Sequence, residues 1–466
     1  MTTLNDYLHQ HAGRQPRKVA AVCGDQCLTY AELSERVRRQ AAEYREGKIV
    51  PFVTTQSLDF LVTYFAIHEA GAVAAPLPSA CPTLPPSEEV LPSERVGGEA
   101  SLPPLGEGRG RGLVGEALLL FTTGTTGTRK GVMISHRAII ADAENLIEGQ
   151  HFTPDLTFII NGPLNHIGSL SKIWPVIMQG ATLHILEGMK DLNAFFCALS
   201  AYPKTATFLV PASTRIILQF SADRLAACAG HIDFIESGAA PLPHADMLQL
   251  CQLLPNTRLY NTYASTETGI ISTYNFNDGR CMPGCLGQPM SHSRIIITPE
   301  GHISCQGDTL MSGYIPLPSE RVGGEASLPP LGEGRGRGSV GQALLLFTTS
   351  DLGYLDAEGM LHLTGREGDV INVGGFKVVP TEVEDACMSA PGVRDCVCIS
   401  VEHPITGQAL KLLVVMQPGT TLDKRSLARY LSTRLEPHKV PMLYQQVEQV
   451  ERTYNGKINR KAYCSK

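Results

Sequence analysis

The chain has 466 residues, of which 43% are hydrophobic and 18% are charged, and its formal net charge is −6 at neutral pH. This length exceeds a typical single core, so two or three domains are expected. The small negative charge gives no electrostatic basis for binding nucleic acid or an anionic membrane surface, and no apolar stretch is long enough to cross a bilayer.

The amino terminus and the cysteines both indicate a reducing compartment. Residues 1–6 contain no basic region followed by an apolar one, so a signal peptide is not expected. The 13 cysteines are an odd number without the spacing of a disulfide framework, and no pair is matched by a second pair or a histidine cluster. We therefore predict reduced thiols without structural zinc, in a cytoplasmic protein.

Two distant segments are almost the same sequence. Residues 91–123 and 317–349 differ at only two positions. Repeat folds need several contiguous units to bury a shared core, which two separate copies do not provide. The Gly-, Pro- and Arg-rich parts, residues 92–112 and 318–338, are expected to be inserted low-complexity loops, with a binding loop as the alternative. Both copies end in the apolar string ALLLFTT, which predicts a buried strand.

A loop rich in hydroxyls and glycine follows the first of these strings, with the sequence FTTGTTGTRKG at residues 121–131. Its glycines let backbone N–H groups approach an anion closely, and the threonines and Lys130 add donors. This composition predicts a polyphosphate site, and a plain Gly/Thr turn is the alternative. The loop is not a Walker A motif, because Arg129 stands where that motif has a glycine.

The remaining chain alternates short β-rich runs with helical ones. Strands are predicted at residues 207–210, 231–235 and 257–260, and a helix at residues 243–254. Such alternation predicts α/β layers.

The last hundred residues predict a compact α+β unit that begins near residues 365–368. Thr381 and Glu384, which follow Pro380, have the spacing of a capping box and predict the start of a helix. Two strands at residues 393–401 and 410–416 and a helix at residues 423–435, with Asp423 as its N-cap, complete the unit.

Five further strings occur in a fixed order and carry the polar residues of the chain's candidate sites. They are PLNHIG at 163–168, SGAAPL at 237–242, NTYASTE at 261–267, TSDLG at 349–353 with a long run from Arg366 to Glu384, and ERTYNGKINR at 451–460. Together with the phosphate loop they resemble the motifs of the adenylate-forming superfamily. That family includes acyl- and aryl-CoA synthetases, carrier-protein loading domains and luciferase-like enzymes. The resemblance covers nearly the whole chain apart from the two inserts.

The resemblance implies an α/β fold with two domains. Residues 1–367 would form a large N-terminal AMP-binding domain of several subdomains, with β-sheets and flanking helices. Residues 368–466 would form a small, mobile α+β C-terminal domain. The hinge of the family aligns with Gly368, where free rotation of φ and ψ keeps a domain swing feasible.

The resemblance also assigns roles to single residues. The residues that would bind the ATP phosphates are Thr122, Thr123, Gly124, Thr125, Thr126, Gly127 and Lys130. The adenine is bordered by Ser237, Gly238, Ala239 and Tyr263, and the ribose by Asp351 and Arg366. Thr266 would bind the α-phosphate, Glu267 would bind Mg²⁺, and His166 would lie beside the acyl pocket. Lys457 would neutralise charge in the adenylation transition state, and Gly374 and Gly375 would lie along the thiol tunnel.

The implied activity is that of an acid–thiol ligase. ATP and a carboxylate would give acyl-AMP and pyrophosphate, and the thiol of coenzyme A would then attack the adenylate. A carrier-protein phosphopantetheine is the alternative acceptor, because it presents the same arm. An α-amino acid is not expected as the substrate, because residues 165–168 lack the aspartate that pairs with an amine in amino-acid-activating relatives. An aryl or short acyl acid fits better.

Four positions depart from the family pattern, and they lie inside its motifs. They are Arg129, Ala264, Ser350 and Gly368. These changes, together with the two inserts, support an alternative of another class: a degraded, non-catalytic homologue that only binds nucleotide or a partner.

Overall fold

The computed structural model describes residues 2–78, 115–123, 129–315, 346–452 and 458–463. Twelve α-helices lie in these ranges: α1 (Leu4–Arg14), α2 (Tyr30–Ala41), α3 (Leu58–Glu69), α4 (His136–Gln150), α5 (Ile167–Leu170), α6 (Ile173–Gln179), α7 (Leu192–Ser200), α8 (Pro211–Phe220), α9 (Ala222–Ala227), α10 (His244–Leu253), α11 (Pro380–Met388) and α12 (Lys424–Ser432). None of the helices in these ranges is long and apolar enough to cross a membrane.

The strands of the same ranges follow in chain order. They are β1 (Val19–Cys23), β2 (Gln26–Thr29), β3 (Ile49–Val53), β4 (Val73–Leu77), β5 (Glu116–Thr123), β6 (Arg129–Ser135), β7 (Thr157–Ile160), β8 (Thr182–Ile185), β9 (Thr205–Leu209), β10 (Ile232–Ser237), β11 (Arg258–Ser265), β12 (Gly269–Asn275), β13 (Cys285–Pro289), β14 (Ser293–Ile297), β15 (His302–Gly307), β16 (Gly313–Ile315), β17 (Phe347–Leu355), β18 (Leu361–Arg366), β19 (Ile371–Val373), β20 (Phe376–Val378), β21 (Val393–His403), β22 (Gly407–Met416) and β23 (Leu443–Gln446).

The largest sheet has the order β14-β15-β17-β18-β13-β12-β11-β10-β9-β7-β8-β1-β2. Its middle strands β8, β7, β9, β10 and β11 are parallel to one another. Their carboxyl ends therefore lie along one edge, which is where open α/β sheets bind ligands.

A second sheet has the order β16-β6-β5-β4-β3, and a third, in the C-terminal unit, consists of β20-β19-β22-β21 with β23 beside β22. In the second sheet β5 and β6 form an antiparallel pair, in which Thr122 is opposite Lys130. The third sheet packs its own core of valines, leucines and cysteines against α11 and α12.

The fold confirms the predicted α/β class, with a large sheet-rich N-terminal part and a smaller C-terminal part. The predicted helix at residues 243–254 is α10, and the predicted strands near residues 207, 231 and 257 are β9, β10 and β11. All eleven cysteines in the described ranges are free thiols. The 3-10 helix Glu367–Asp369 separates β18 from β19 at the predicted boundary, and the division into two domains there stays a prediction.

The predicted capping box of α11 is wrong. Pro380 takes the first helical position and Val379 is the N-cap, without a side-chain cap. Thr381 therefore lies inside the first turn, and its hydroxyl is 3.5 Å from the Thr364 carbonyl oxygen. Proline is favoured at this position because its missing N–H would be unpaired in any case.

The strand prediction for the second copy of ALLLFTT is wrong in part. In the first copy Leu120 is 1% exposed, because β5 lies between β4 and β6 inside the second sheet. The equivalent Leu346 is 53% exposed and precedes β17, which begins only at Phe347. The same leucine of the string is therefore buried in one copy and exposed in the other, because the two copies meet different sheets.

Candidate active site

The candidate phosphate loop connects β5 and β6. Thr122 and Thr123 end β5, opposite Lys130 and Arg129 of β6. The side chain of Lys130 is exposed. The central residues of the loop, Gly124, Thr125, Thr126 and Gly127, lie outside the described residues.

Lys130 lies beside an aromatic residue that connects it to the candidate magnesium ligand. Its Nζ is 4.9 Å from the centre of the Tyr314 ring, within the range of a cation–π contact. The Tyr314 hydroxyl donates to Glu267 Oε1 at 3.2 Å. Burial and the Glu267 carboxylate raise the pKa of Tyr314, so its hydroxyl stays a donor at neutral pH. The Lys130 cation, the Tyr314 ring and the Glu267 carboxylate therefore contact one another in sequence beside β16, the edge strand of the second sheet.

Thr266 and Glu267 lie in the turn between β11 and β12. Ser265 and Thr268 exchange hydrogen bonds across this turn, between the Ser265 backbone N–H and Thr268 Oγ1 and between the Thr268 backbone N–H and Ser265 Oγ, each at 3.1 Å. The Glu267 carbonyl accepts from the Met311 N–H at 2.9 Å. These contacts fix the backbone that presents Glu267 next to β16.

The candidate adenine and ribose residues form one hydrogen-bonded chain across three strands. Tyr263 of β11 is buried, and its hydroxyl donates to Asp351 Oδ2 of β17 at 2.8 Å. Arg366 Nε at the end of β18 donates to Asp351 Oδ1 at 2.8 Å. Burial and the charge of Asp351 raise the pKa of Tyr263, so it remains protonated. Strands β17 and β18 pair with Asp351 opposite Arg366, so the sheet register itself holds this ion pair.

The candidate adenine loop begins where β10 ends, at Ser237. Because β10 and β11 are parallel neighbours with Ser237 opposite Asn261, this loop lies next to the strand that carries Tyr263. Ala239 has φ of +67°, a left-handed conformation that costs energy for a residue with a side chain. A Cβ at Gly238 would be 3.0 Å from the Thr262 carbonyl oxygen, so a side chain there would require the neighbouring strand to move by a few tenths of an ångström.

His166 follows β7 and is the N-cap of the short helix α5. It is partly buried, and its carbonyl accepts from the Leu170 N–H at 2.9 Å. Two residues later Gly168 approaches the ring of Phe208, which ends β9 with Leu209. Gly238 approaches the same ring, so Phe208 lies between the His166 loop and the adenine loop.

The predicted thiol-tunnel glycines form the tight turn between β19 and β20. Gly374 and Gly375 have φ of +60° and +94°, as a two-residue hairpin turn requires. Their N–H groups donate to the Thr406 carbonyl at 3.1 Å and to Asn372 Oδ1 at 2.8 Å. These contacts lie within the C-terminal unit, and the assignment of the two glycines to a tunnel stays a prediction.

Lys457 lies outside the described residues, but arginines on either side of it are anchored. Arg452 donates to both oxygens of Asp395, at 3.0 and 2.8 Å. Arg460 binds Glu384 through two parallel bonds of 2.6 and 2.9 Å. Bidentate arginine–carboxylate pairs fix geometry well, so the segment is attached at both ends to α11 and β21.

Sequence reasoning missed Tyr314, Phe208 and these two anchoring arginines. Tyr314 reaches Lys130 only because β16 pairs with β6, a contact across nearly two hundred residues. Phe208 lies in a strand that the sequence predicts, and no local pattern gives its ring a role. For Arg452 and Arg460 the only local signal was their place next to the terminal Gly-Lys string.

The fold and the motif residues define the class of adenylate-forming enzymes. The family model of the AMP-binding enzyme matches residues 8–88 and 116–315, and that of the AMP-binding enzyme C-terminal domain matches residues 382–457. The chain belongs to the AMP-binding enzyme family, which confirms the resemblance of its motifs.

Relatives of known name span nearly the full length of the chain. A feruloyl-CoA synthase of an Amycolatopsis species is 26% identical and covers 96% of this chain and 96% of its own. An indoleacetate–CoA ligase of Aromatoleum aromaticum is 25% identical and covers 98% of this chain and 96% of its own. These relatives confirm the predicted class of acid–thiol ligase. The structure of ATP-bound MatB from Rhodopseudomonas palustris matches at a TM-score of 0.80 and 23% identity, over 100% of this chain and 99% of its own, which shows the shared fold.

Proposed function

We propose that the chain activates an aryl or short acyl carboxylic acid with ATP, forms acyl-AMP and pyrophosphate, and transfers the acyl group to the thiol of coenzyme A. The observation that carries this proposal is the Tyr263–Asp351–Arg366 chain. Three motif residues far apart in sequence meet at 2.8 Å on neighbouring strands. Their position beside the carboxyl ends of the parallel strands suits a nucleotide.

In this function the nucleotide binds between the phosphate loop, the adenine loop and the Asp351–Arg366 pair. Ser237, Gly238, Ala239 and Tyr263 border the adenine, while Asp351 and Arg366 bind the ribose hydroxyls. A carboxylate has about four acceptor positions, so Asp351 retains acceptor capacity beyond Tyr263 and Arg366. The loop from Thr122 to Gly127, with Lys130, holds the phosphates.

Glu267 is the residue that we assign to Mg²⁺. Its bond to Tyr314 uses one acceptor position of the carboxylate and leaves others for a cation. No group of three or more His, Cys, Asp or Glu in the described ranges could hold a metal. A single carboxylate fits Mg²⁺, which binds through one or two carboxylates together with substrate phosphates. When bound, the cation neutralises phosphate charge.

The reacting carboxylate enters beside His166 and approaches the α-phosphate near Thr266. Lys457 neutralises the charge that develops between these two groups. The thiol then approaches along Gly374 and Gly375. In both steps the protein positions groups and neutralises charge, without a covalent bond to a side chain.

The test is ATP–pyrophosphate exchange with a panel of aromatic, short-chain and long-chain acids, followed by thioester assays. We expect exchange with at least one aryl or short acyl acid and a thioester with coenzyme A. A thioester formed only on a phosphopantetheinylated carrier protein would replace the acceptor in this proposal. Nucleotide binding without exchange on any acid would support the degraded homologue and contradict the proposal.

A further inference from the structure

Tyr314 lies on a short strand that is fixed to two parts of the candidate site. Strand β16 pairs antiparallel with β6, the strand that carries Lys130, and Tyr314 is opposite Val132. The N–H of Met311, just before β16, donates to the Glu267 carbonyl at 2.9 Å. The backbone therefore holds Tyr314 at a set position relative to both Lys130 and Glu267.

Two different parts of the Tyr314 side chain contact these two residues. The ring lies under Lys130, whose Nζ is 4.9 Å from the ring centre, and the hydroxyl donates to Glu267 Oε1 at 3.2 Å. The ring quadrupole attracts a cation, and a hydrogen bond to a charged acceptor favours a defined orientation of that acceptor. One side chain thus orients a cation and a carboxylate at the same time.

The neutral tyrosine also lies between two opposite charges. Within the described residues, Lys130 and Glu267 form no ion pair with a nitrogen–oxygen distance of 4.0 Å or less. A direct ion pair would occupy the donors that phosphate requires and the acceptors that Mg²⁺ requires. Tyr314 instead uses one acceptor position of Glu267 and contacts Lys130 through the ring face. The ammonium and the carboxylate therefore keep their capacity for ligands.

We infer that Tyr314 is a positioning residue of the proposed reaction, whose ring orients Lys130 towards the ATP phosphates and whose hydroxyl orients Glu267 towards Mg²⁺. The two roles reside in different atoms of one side chain, so substitution can separate them. This inference rests on the proposed function, because that function assigns the phosphates to Lys130 and the cation to Glu267.

The test measures ATP binding by isothermal titration calorimetry, once with EDTA and once with saturating Mg²⁺. Tyr314→Phe keeps the ring and removes the hydroxyl. Its dissociation constant with EDTA should equal that of the wild type, whereas its dissociation constant with Mg²⁺ should rise about two- to tenfold, the usual net contribution of one hydrogen bond. Tyr314→Leu removes both contacts. Its dissociation constant with EDTA should also rise, by about two- to fivefold, the usual contribution of an exposed cation–π contact.

A double-mutant cycle connects the effect of the ring to Lys130. In a Lys130→Met background, Tyr314→Leu should cause no further loss of ATP binding with EDTA, because the cation that the ring orients is gone. An additive loss would contradict this role of the ring. Pyrophosphate exchange should show the same division: Tyr314→Phe should raise the Mg²⁺ concentration for half-maximal rate and leave the KM for the acid unchanged.

Tyr430 provides the matched control. Its ring also lies against a cation, with Arg434 Cζ 3.7 Å from the ring centre, and its hydroxyl donates to the Ser389 carbonyl at 2.6 Å. Both contacts lie within the C-terminal unit. Tyr430→Phe and Tyr430→Leu should therefore leave both ATP dissociation constants unchanged, even where they lower the melting temperature.

The outcomes separate this inference from the proposed function. If Tyr314→Phe binds ATP with Mg²⁺ as tightly as the wild type does, the inference is overturned and the ligase activity stands. Equal losses in the Tyr430 variants would also contradict it, because they would report loosened packing in general. A wild type that binds no ATP under either condition would overturn the proposed function and the inference together. Tyr314→Phe decides the question if Tyr314→Leu does not fold.

Discussion

The side chain of Asp351 shows how one carboxylate organises the candidate ribose site. It accepts from Tyr263 on one side and from Arg366 on the other, each at 2.8 Å. Hydrogen bonds with a charged partner are stronger than neutral ones and hold both donors in a defined orientation. The residue thus both binds and aligns its neighbours.

Asp351→Asn should weaken the use of ATP with little change in folding, because an amide keeps the shape and removes the charge. Loss of a hydrogen bond to a charged group costs about 1.5–3 kcal/mol, so kcat/KM for ATP should fall roughly ten- to hundredfold. Pyrophosphate exchange across an ATP titration measures this. The control is Asp278→Asn, because Tyr274 and Arg280 bind Asp278 in a similar triplet, at 2.9 and 3.1 Å. An equal effect of both substitutions would remove the special role of Asp351.

Lys172 Nζ donates to Glu236 Oε1 at 2.7 Å, and both side chains are 1% exposed. This buried ion pair permits a stability prediction for single residues. Lys172→Met should lower the free energy of unfolding by about 3–5 kcal/mol, because it leaves the Glu236 charge buried without its partner. The double variant Lys172→Met/Glu236→Leu should be markedly more stable than the single one, since two apolar residues can replace a buried ion pair. Urea unfolding measures both.

The control for this prediction is an exposed ion pair. Arg137 and Asp308 are 62% and 38% exposed. Arg137→Met should change the free energy of unfolding by less than about 1 kcal/mol, because exposed pairs contribute little. A double variant as unstable as Lys172→Met would show that the charge pair is not the source of the loss.

At the scale of elements, α12 starts with a side-chain cap and α11 starts without one. Asp423 Oδ1 accepts from the N–H groups of Arg425 and Ser426 at 3.0 and 3.2 Å and is the N-cap of α12, as the sequence predicts. In α11 the equivalent prediction is wrong, because Pro380 displaces Thr381 from the cap position.

These two helices make a matched pair for thermal or urea unfolding of the C-terminal unit. Asp423→Ala should lower its stability by about 0.5–2 kcal/mol, the usual cost of a lost N-cap. Thr381→Ala should change it by less than about 0.5 kcal/mol, because its hydroxyl caps nothing. A larger loss in Thr381→Ala than in Asp423→Ala would contradict this account of the two helix starts.

Local patterns predicted many elements and few contacts between them. The β-rich runs near residues 207, 231 and 257 are β9, β10 and β11, because β-branched and aromatic side chains suit a buried strand. The motif strings likewise predicted that Tyr263, Asp351 and Arg366 belong to one site. The contact of Tyr314 with Lys130 depends on the pairing of β16 with β6, which no local pattern contains.

At the scale of the whole molecule, one arginine joins the large and small parts. Arg215 of α8 donates to Asp246 of α10 at 3.0 Å and to Asp395 of β21 at 2.7 Å. Asp395 also binds Arg452, which precedes the segment with Lys457. The cluster therefore holds the C-terminal unit against the N-terminal part in the pose that the structure shows.

Arg215→Met should loosen this interface, because Asp246 and Asp395 then face each other without the cation between them. Amide hydrogen exchange should become faster in α8 and in the first residues of β21, while α1 to α3 keep the wild-type rates. The control is Arg258→Met, which breaks an ion pair with Asp233 inside the N-terminal part. Unchanged exchange in α8 and β21 would mean that other contacts hold the two parts together.

The duplicated string ALLLFTT has a consequence for how the chain reaches this structure. One copy supplies β5 and the other enters β17, yet before distant contacts form the two have the same intrinsic preference for pairing with β4 and β6. We therefore expect two competitors for one position when the chain refolds from denaturant. On the ribosome β3 to β6 emerge before the second copy exists, so the order of synthesis removes the competitor. We expect the newly made chain to fold more faithfully than the same chain diluted from urea.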